Sequence, residues 1–150
     1  MAFLITLVFP PAVATQTVEG HSAVEEALSE IHTLVNRHRL AIGCDSLAWY
    51  EPAARVAEAH SRDMAERDYF DHVTPEGLDL ARRLLAGGVA WSGSTAENLA
   101  YTPAGAPSAF ELWMDSSPHR ANIERCDFTH HGVGLYRYRW TQVLVEGPAG

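Results

Sequence analysis

The apolar residues of this 150-residue chain change period part way along it. Over residues 22 to 40 and again over 51 to 68 they recur at three- and four-residue steps, the spacing that paints one stripe on a helix. After residue 132 the pattern becomes strand-like: Val133 and Leu135, then Trp140, Val143 and Val145, with turn-like interruptions. Helices first and strands late predict an α+β fold rather than a doubly wound sheet.

Four helices are predicted. Residues 22 to 40 carry Val24, Leu28, Ile31 and Val35 on one face, with Ser22 and Glu25 as a capping box and Gly43 as the stop. Residues 51 to 68 form the second, with Pro52 in the first turn and a stripe of Ala53, Val56, Ala57, His60 and Met64. His60 therefore faces inward, away from Glu58, Arg62 and Glu66. Residues 78 to 86 form a short third helix, ended by Gly87-Gly88, and residues 107 to 116 a fourth that carries Phe110, Leu112, Trp113 and Met114. The stretch from Trp91 to Pro107 reads as a long loop.

Residues 1 to 20 predict a truncated secretory signal or a tail, leaving 21 to 150 as one domain. Residues 2 to 9 are an apolar run too short to span a bilayer, and Ala12-Val13-Ala14 fits a signal-peptidase site, although no basic residue precedes the run. No transmembrane anchor is predicted. The formal net charge is −8, and all 11 basic residues are arginines scattered among acids, so a nucleic-acid partner is disfavoured. Cys44 and Cys126 are an even pair outside any CxxC. In an exported protein they would form a disulfide stabilising by about 2–4 kcal/mol; in a cytosolic one they would be buried thiols.

Three polar residues stand in apolar or glycine-rich surroundings: His60, Glu97 and His119. Singly, each has a structural explanation. His60 can be a core histidine, Glu97 can accept backbone N–H bonds in its loop, and His119 can close a helix end after Pro118. Together, two imidazoles and a carboxylate can hold a divalent metal or act as acid and base. His72, in "FDHVTPEG", is a fourth candidate. Neither HExxH nor G-x-S-x-G is present, so spacing alone does not bring these residues together.

The ordered segments "HSRDMAERDYFDHVTPEG", "AENLA", "WMDSSPHRANI" and "GVGLYRYRWTQVL" resemble the CAP superfamily (cysteine-rich secretory protein, antigen 5, pathogenesis-related 1) in its bacterial SCP-domain form. The resemblance spans about residues 28 to 146 and implies a three-layer α-β-α sandwich with a central cleft. It also implies a tetrad of two histidines and two acids that in some members holds Zn2+ or another divalent cation. His60, Glu97 and His119 match three of its members. The second acid, expected shortly after the tryptophan, is missing: Trp113 is followed by Met114, Asp115, Ser116 and Ser117, and Glu111 precedes it. Asp115 is the nearest acid, and His72 matches a histidine that bacterial members often carry. The resemblance implies a Cys44–Cys126 disulfide as well.

Three roles follow from this reading. The first is a secreted, monomeric binding module for a small apolar ligand such as a lipid, or for an extracellular protein or cell-wall component. The second is a metal-assisted hydrolase in which His60 and His119 hold the metal and Glu97 is a ligand or base. The third is a purely structural polar core. No nucleophile is apparent, because Ser61 follows His60 directly and adjacent helix positions point apart.

Overall fold

The computed structural model describes residues 14 to 148. Helix α1 (Ala14–Ala41) leads into a two-residue strand β1 (Ala48–Trp49), helix α2 (Glu51–Glu66) and helix α3 (Leu80–Ala86). Strand β2 (Thr95–Tyr101), helices α4 (Ala106–Asp115) and α5 (Ser117–Glu124), and strands β3 (His130–Tyr136) and β4 (Arg139–Val145) complete the fold. The sheet order is β1-β3-β4-β2, with β1 parallel to β3 and the other pairs antiparallel.

Helices cover both faces of this sheet. On one side Ala53, Val56 and Ala57 of α2 and Leu84 of α3 pack on Val143 and Val145. On the other, Ile31 and Val35 of α1, Trp113 of α4 and Ile123 of α5 surround Val133, Trp140 and Leu144. The expected α-β-α layering and the inward stripe of α2 are both present.

Three local expectations are corrected. The predicted loop from Trp91 to Pro107 contains β2, whose alternation is hidden because it carries Glu97 and Asn98 at its centre; each points to a different helix-covered face. Pro118 does not end a helix but opens one, as its fixed φ allows at the first turn, so His119 lies inside α5. Ser22 lies within α1 and does not cap it. Of the expected leader or tail, residues 1 to 20, residues 1 to 13 lie outside the described residues, and α1 crosses the predicted boundary at residue 20.

The approach of α2 to the sheet depends on two glycines of β3. A Cβ added at Gly132 would lie 2.1 Å from the Ala54 backbone nitrogen, and one at Gly134 would lie 2.1 Å from that of Glu58. Both obstacles are backbone, which cannot rotate away. Glycine is needed here for closeness, since neither residue has a positive φ.

A second tie binds α1 to the end of α5. Cys44 and Cys126 form a disulfide across 82 residues. Beside it the fully buried Arg39 donates from Nε to Asp45 O, from Nη1 to Ile123 O and Arg125 O, and from Nη2 to Phe128 O. Burial lowers the Arg39 pKa while Asp45 opposes the shift. These carbonyls supply the acceptors that a buried guanidinium needs.

A buried polar chain also crosses the α1-facing side of the sheet. Asn98 donates to His119 O and to Gln142 Oε1. Because Gln142 Oε1 is thereby the acceptor, its Nε2 donates to His131 Nδ1 at 3.0 Å. His131 Nε2–H then donates to His32 Nδ1 at 2.7 Å. Burial, with the nearby His32 and Arg39, lowers His131 to about 3.

Two outcomes are expected. Gly134→Ala should lose at least about 2 kcal/mol in urea denaturation, because no neighbouring side chain can yield; Gly20→Ala, with nothing within 4 Å of the added Cβ, should lose none. His131 has a folded pKa near 3 against an ordinary 6.5. Between those values the unfolded chain binds a proton that the folded chain refuses, so stability falls as the pH drops. One such proton corresponds to a slope of about 1.4 kcal/mol per pH unit. In His131→Gln, the decline in unfolding free energy between about pH 6 and pH 4 should be shallower by roughly that amount, even though the variant is less stable at neutral pH.

Candidate functional site

The period of β2 decides where its polar residues go. Glu97 pairs with Val143 on the α2-facing side, and Asn98 pairs with Gln142 on the opposite side. The inward stripe of α2 carries His60 to the same side as Glu97. Its ring is fully buried, and its Nε2 stands 4.0 Å from Glu97 Oε1. The turn after α2 brings His72 Nδ1 to 2.9 Å from the same oxygen.

The principal partner of Glu97 is a residue that the sequence reading did not single out. Arg83 of α3 forks onto the carboxylate, with Nη1 2.8 Å from Oε2 and Nη2 2.9 Å from Oε1. Nη2 also donates to His72 O at 2.9 Å. Both side chains of the pair are buried. The available signal was the placement of Arg83 between Leu80 and Leu84 on the apolar side of "LARRLLA", whereas Arg82 takes the exposed side.

The electrostatics follow from this fork. Burial works to raise the Glu97 pKa, but hydrogen bonds from His72 and Arg83, together with the Arg83 charge, overcome it and hold the carboxyl below its ordinary value. His72 is raised by its hydrogen bond to Glu97 against a smaller effect of burial. His60 is lowered by burial and by the Arg83 charge, against Glu97. Its 4.0 Å approach to Glu97 is therefore the contact of a neutral ring with an anion that already has its cation.

His119 reaches this region from α5, across β2. Its backbone oxygen accepts from Asn98 on the opposite side of β2, which is an edge strand. Its ring lies near enough to His72 to feel its charge: burial lowers the His119 pKa, and His72 lowers it further. His119 Nδ1 and His60 Nδ1 are buried and make no hydrogen bond among the described residues. Glu111 and Asp115 are exposed on α4. Ser61 is fully buried, and its hydroxyl is engaged with Gly134 O and Thr141 Oγ1.

Two of the ring nitrogens nearest Glu97 are closed to a cation, while the buried Nδ1 atoms of His60 and His119 make no hydrogen bond among the described residues and are the ones open to it. His60 Nε2 lies 2.9 Å from Asp71 O, which can only accept, so that nitrogen carries a proton. His72 Nδ1 faces an ionised carboxylate and carries a proton for the same reason. Metal ligation needs a lone pair on the imidazole nitrogen. Among the described residues no group of three or more His, Cys, Asp or Glu side chains is placed to hold a metal.

Two concavities flank this region. A cavity of about 500 Å³ lies beside α2 and is lined in part by Val56, His60, Leu78 and Arg83. A larger groove of about 690 Å³ opens between α1 and α2, lined in part by Val24, Leu28, Trp49, Val133 and Leu135. None of His60, His72, Glu97 and His119 borders the larger groove.

Comparison with known proteins places this arrangement. The chain is 36% identical over 140 residues to the uncharacterized membrane protein YlbC of Bacillus subtilis, covering 93% of this chain and 40% of that protein. It is 30% identical to the uncharacterized protein YkwD of the same organism, covering 90% of this chain and 54% of that one. It thus spans about half or less of the length of these relatives. The crystal structure of an extracellular protein containing a SCP domain from Bacillus anthracis superposes with a TM-score of 0.81 at 30% identity, over 92% of this chain and 45% of that one. No helix among the described residues is long and apolar enough to cross a membrane. With the sandwich, the disulfide and the order of the His60, Glu97 and His119 segments in place, the match of residues 32–145 to the CAP, or cysteine-rich secretory protein, family establishes that the chain belongs to that family.

Proposed function

We propose that this chain is an extracellular binding module whose ligand is a small apolar molecule of lipid character. The observation that carries the reading is the groove between α1 and α2. Its volume of about 690 Å³ suits a single small ligand. Val133 and Leu135 of β3 form its apolar floor, Val24 and Leu28 one wall, and Trp49 one end. Charged residues at its border include Arg55, paired with Glu51, and Arg62, paired with Glu58. An apolar interior with a polar border is the usual form of a site for an amphipathic guest.

Two further facts support export. The Cys44–Cys126 disulfide belongs to an oxidising compartment, and the Bacillus anthracis neighbour is described as extracellular. Metal-assisted hydrolysis is the weaker reading. His60 Nε2 and His72 Nδ1 are committed to Asp71 O and Glu97, which leaves His60 Nδ1 and His119 Nδ1 as the available ring nitrogens; among the described residues no group of three or more His, Cys, Asp or Glu side chains is placed to hold a metal, and the Ser61 hydroxyl is already engaged in the core.

Titration of the purified full chain with palmitate, and separately with phospholipid and sterol dispersions, should give saturable quenching or enhancement of Trp49 fluorescence with at least one of them. Leu28→Arg should abolish the response by placing a charge in the groove, while His60→Ala should leave it. Absence of saturable binding with every lipid class contradicts the proposal.

A further inference from the structure

The polarity of the Glu97 cluster is inverted with respect to a metal site. A metal site surrounds a cation with lone pairs. Here the buried carboxylate is the centre, and the groups around it turn N–H bonds toward it. Arg83 Nη1 and Nη2 donate at 2.8 and 2.9 Å, and His72 Nδ1 donates at 2.9 Å. His60 Nε2, 4.0 Å from the same carboxylate, spends its proton on Asp71 O.

We propose that the Arg83 guanidinium is the resident cation of this site, neutralising Glu97 beside His60 and His72 in the role a divalent metal would otherwise fill.

Three observations support this. Arg83 and Glu97 come from separate elements, α3 and β2, and meet in a bidentate fork, the geometry in which a guanidinium holds a carboxylate most firmly. The Arg83 side chain is 8% exposed and that of Glu97 is 3% exposed, so neither charge has water as its main partner. The same guanidinium also holds the His72 backbone oxygen, fixing the turn that delivers the His72 ring to Glu97. One residue thus does the two things that a structural metal would do here: it balances the charge and it ties α3, the 71–74 turn and β2 together.

Removal of Arg83 leaves Glu97 buried with His72 Nδ1 as its remaining hydrogen-bond partner and Oε2 uncommitted, near the imidazole of His60 whose Nδ1 has no partner among the described residues. Arg83→Ala should therefore become responsive to zinc although the parent chain is not. The test uses purified full chain treated with a chelator, followed by melting with and without zinc chloride and elemental analysis after dialysis. The parent chain should melt at the same temperature in both conditions and retain no stoichiometric zinc. Arg83→Ala should melt lower and recover part of the loss with zinc, and the added substitution His60→Ala should abolish that recovery. If Arg83→Ala does not fold, the charge-free pair Arg83→Met/Glu97→Gln carries the test: it should be more stable than either single variant, because each single change leaves one group unpaired. A parent chain that binds one zinc per molecule, an Arg83→Ala chain that folds but ignores zinc, or a double variant no better than its parents overturns the proposal.

Discussion

The close approach of α2 to β3 across Gly132 and Gly134 is the contact on which the other arrangements rest. At both positions an added Cβ would meet helix backbone rather than a movable side chain. With that approach allowed, Ala53, Val56 and Ala57 reach Val143 and Val145, and the same helix face lowers His60 to within 4.0 Å of Glu97. Ser61, one residue on, is then close enough to bond both Gly134 and Thr141. The helix is fixed by apolar contact and hydrogen bonding at once, so the position of His60 is a property of the whole layer.

Burial of charge is the second constraint. An unpaired charge beneath this sheet would shift its pKa or destabilise the fold by several kcal/mol. The chain meets the demand in three ways. Arg39 surrounds itself with main-chain carbonyls. Glu97 takes a guanidinium and an imidazole. His131 stays neutral within a chain of side chains whose hydrogen-bond direction is fixed at one end by a carbonyl. The result is a polar middle layer whose buried charges are paired from within, although His60 Nδ1, Arg83 Nε and His119 Nδ1 make no hydrogen bond among the described residues, with its apolar groove placed elsewhere, between α1 and α2.

Much of this was legible in the residues. The stripe of α2 predicted the burial of His60, and the shift from helical to strand-like spacing predicted the class. The family resemblance supplied the layering and the Cys44–Cys126 pairing. Strand β2 was hidden because its two central residues are polar, and polar alternation looks like a loop unless both faces of the strand are known to be covered. Helix α5 was hidden by Pro118, which is compatible with the end of one helix and the start of another. Arg83 was missed because an arginine on a short amphipathic helix usually snorkels to water; only the arrival of Glu97 from a distant strand turns it inward.

Glu97 is thus an ionised carboxylate held by Arg83. Carbon-13 NMR of the Glu97 side-chain carboxyl across an acid titration tests it most directly. The midpoint should lie below that of an ordinary glutamate, with the resonance moving only as the fork breaks. A midpoint at or above the ordinary value, with Glu97 protonated in the folded protein, would contradict it.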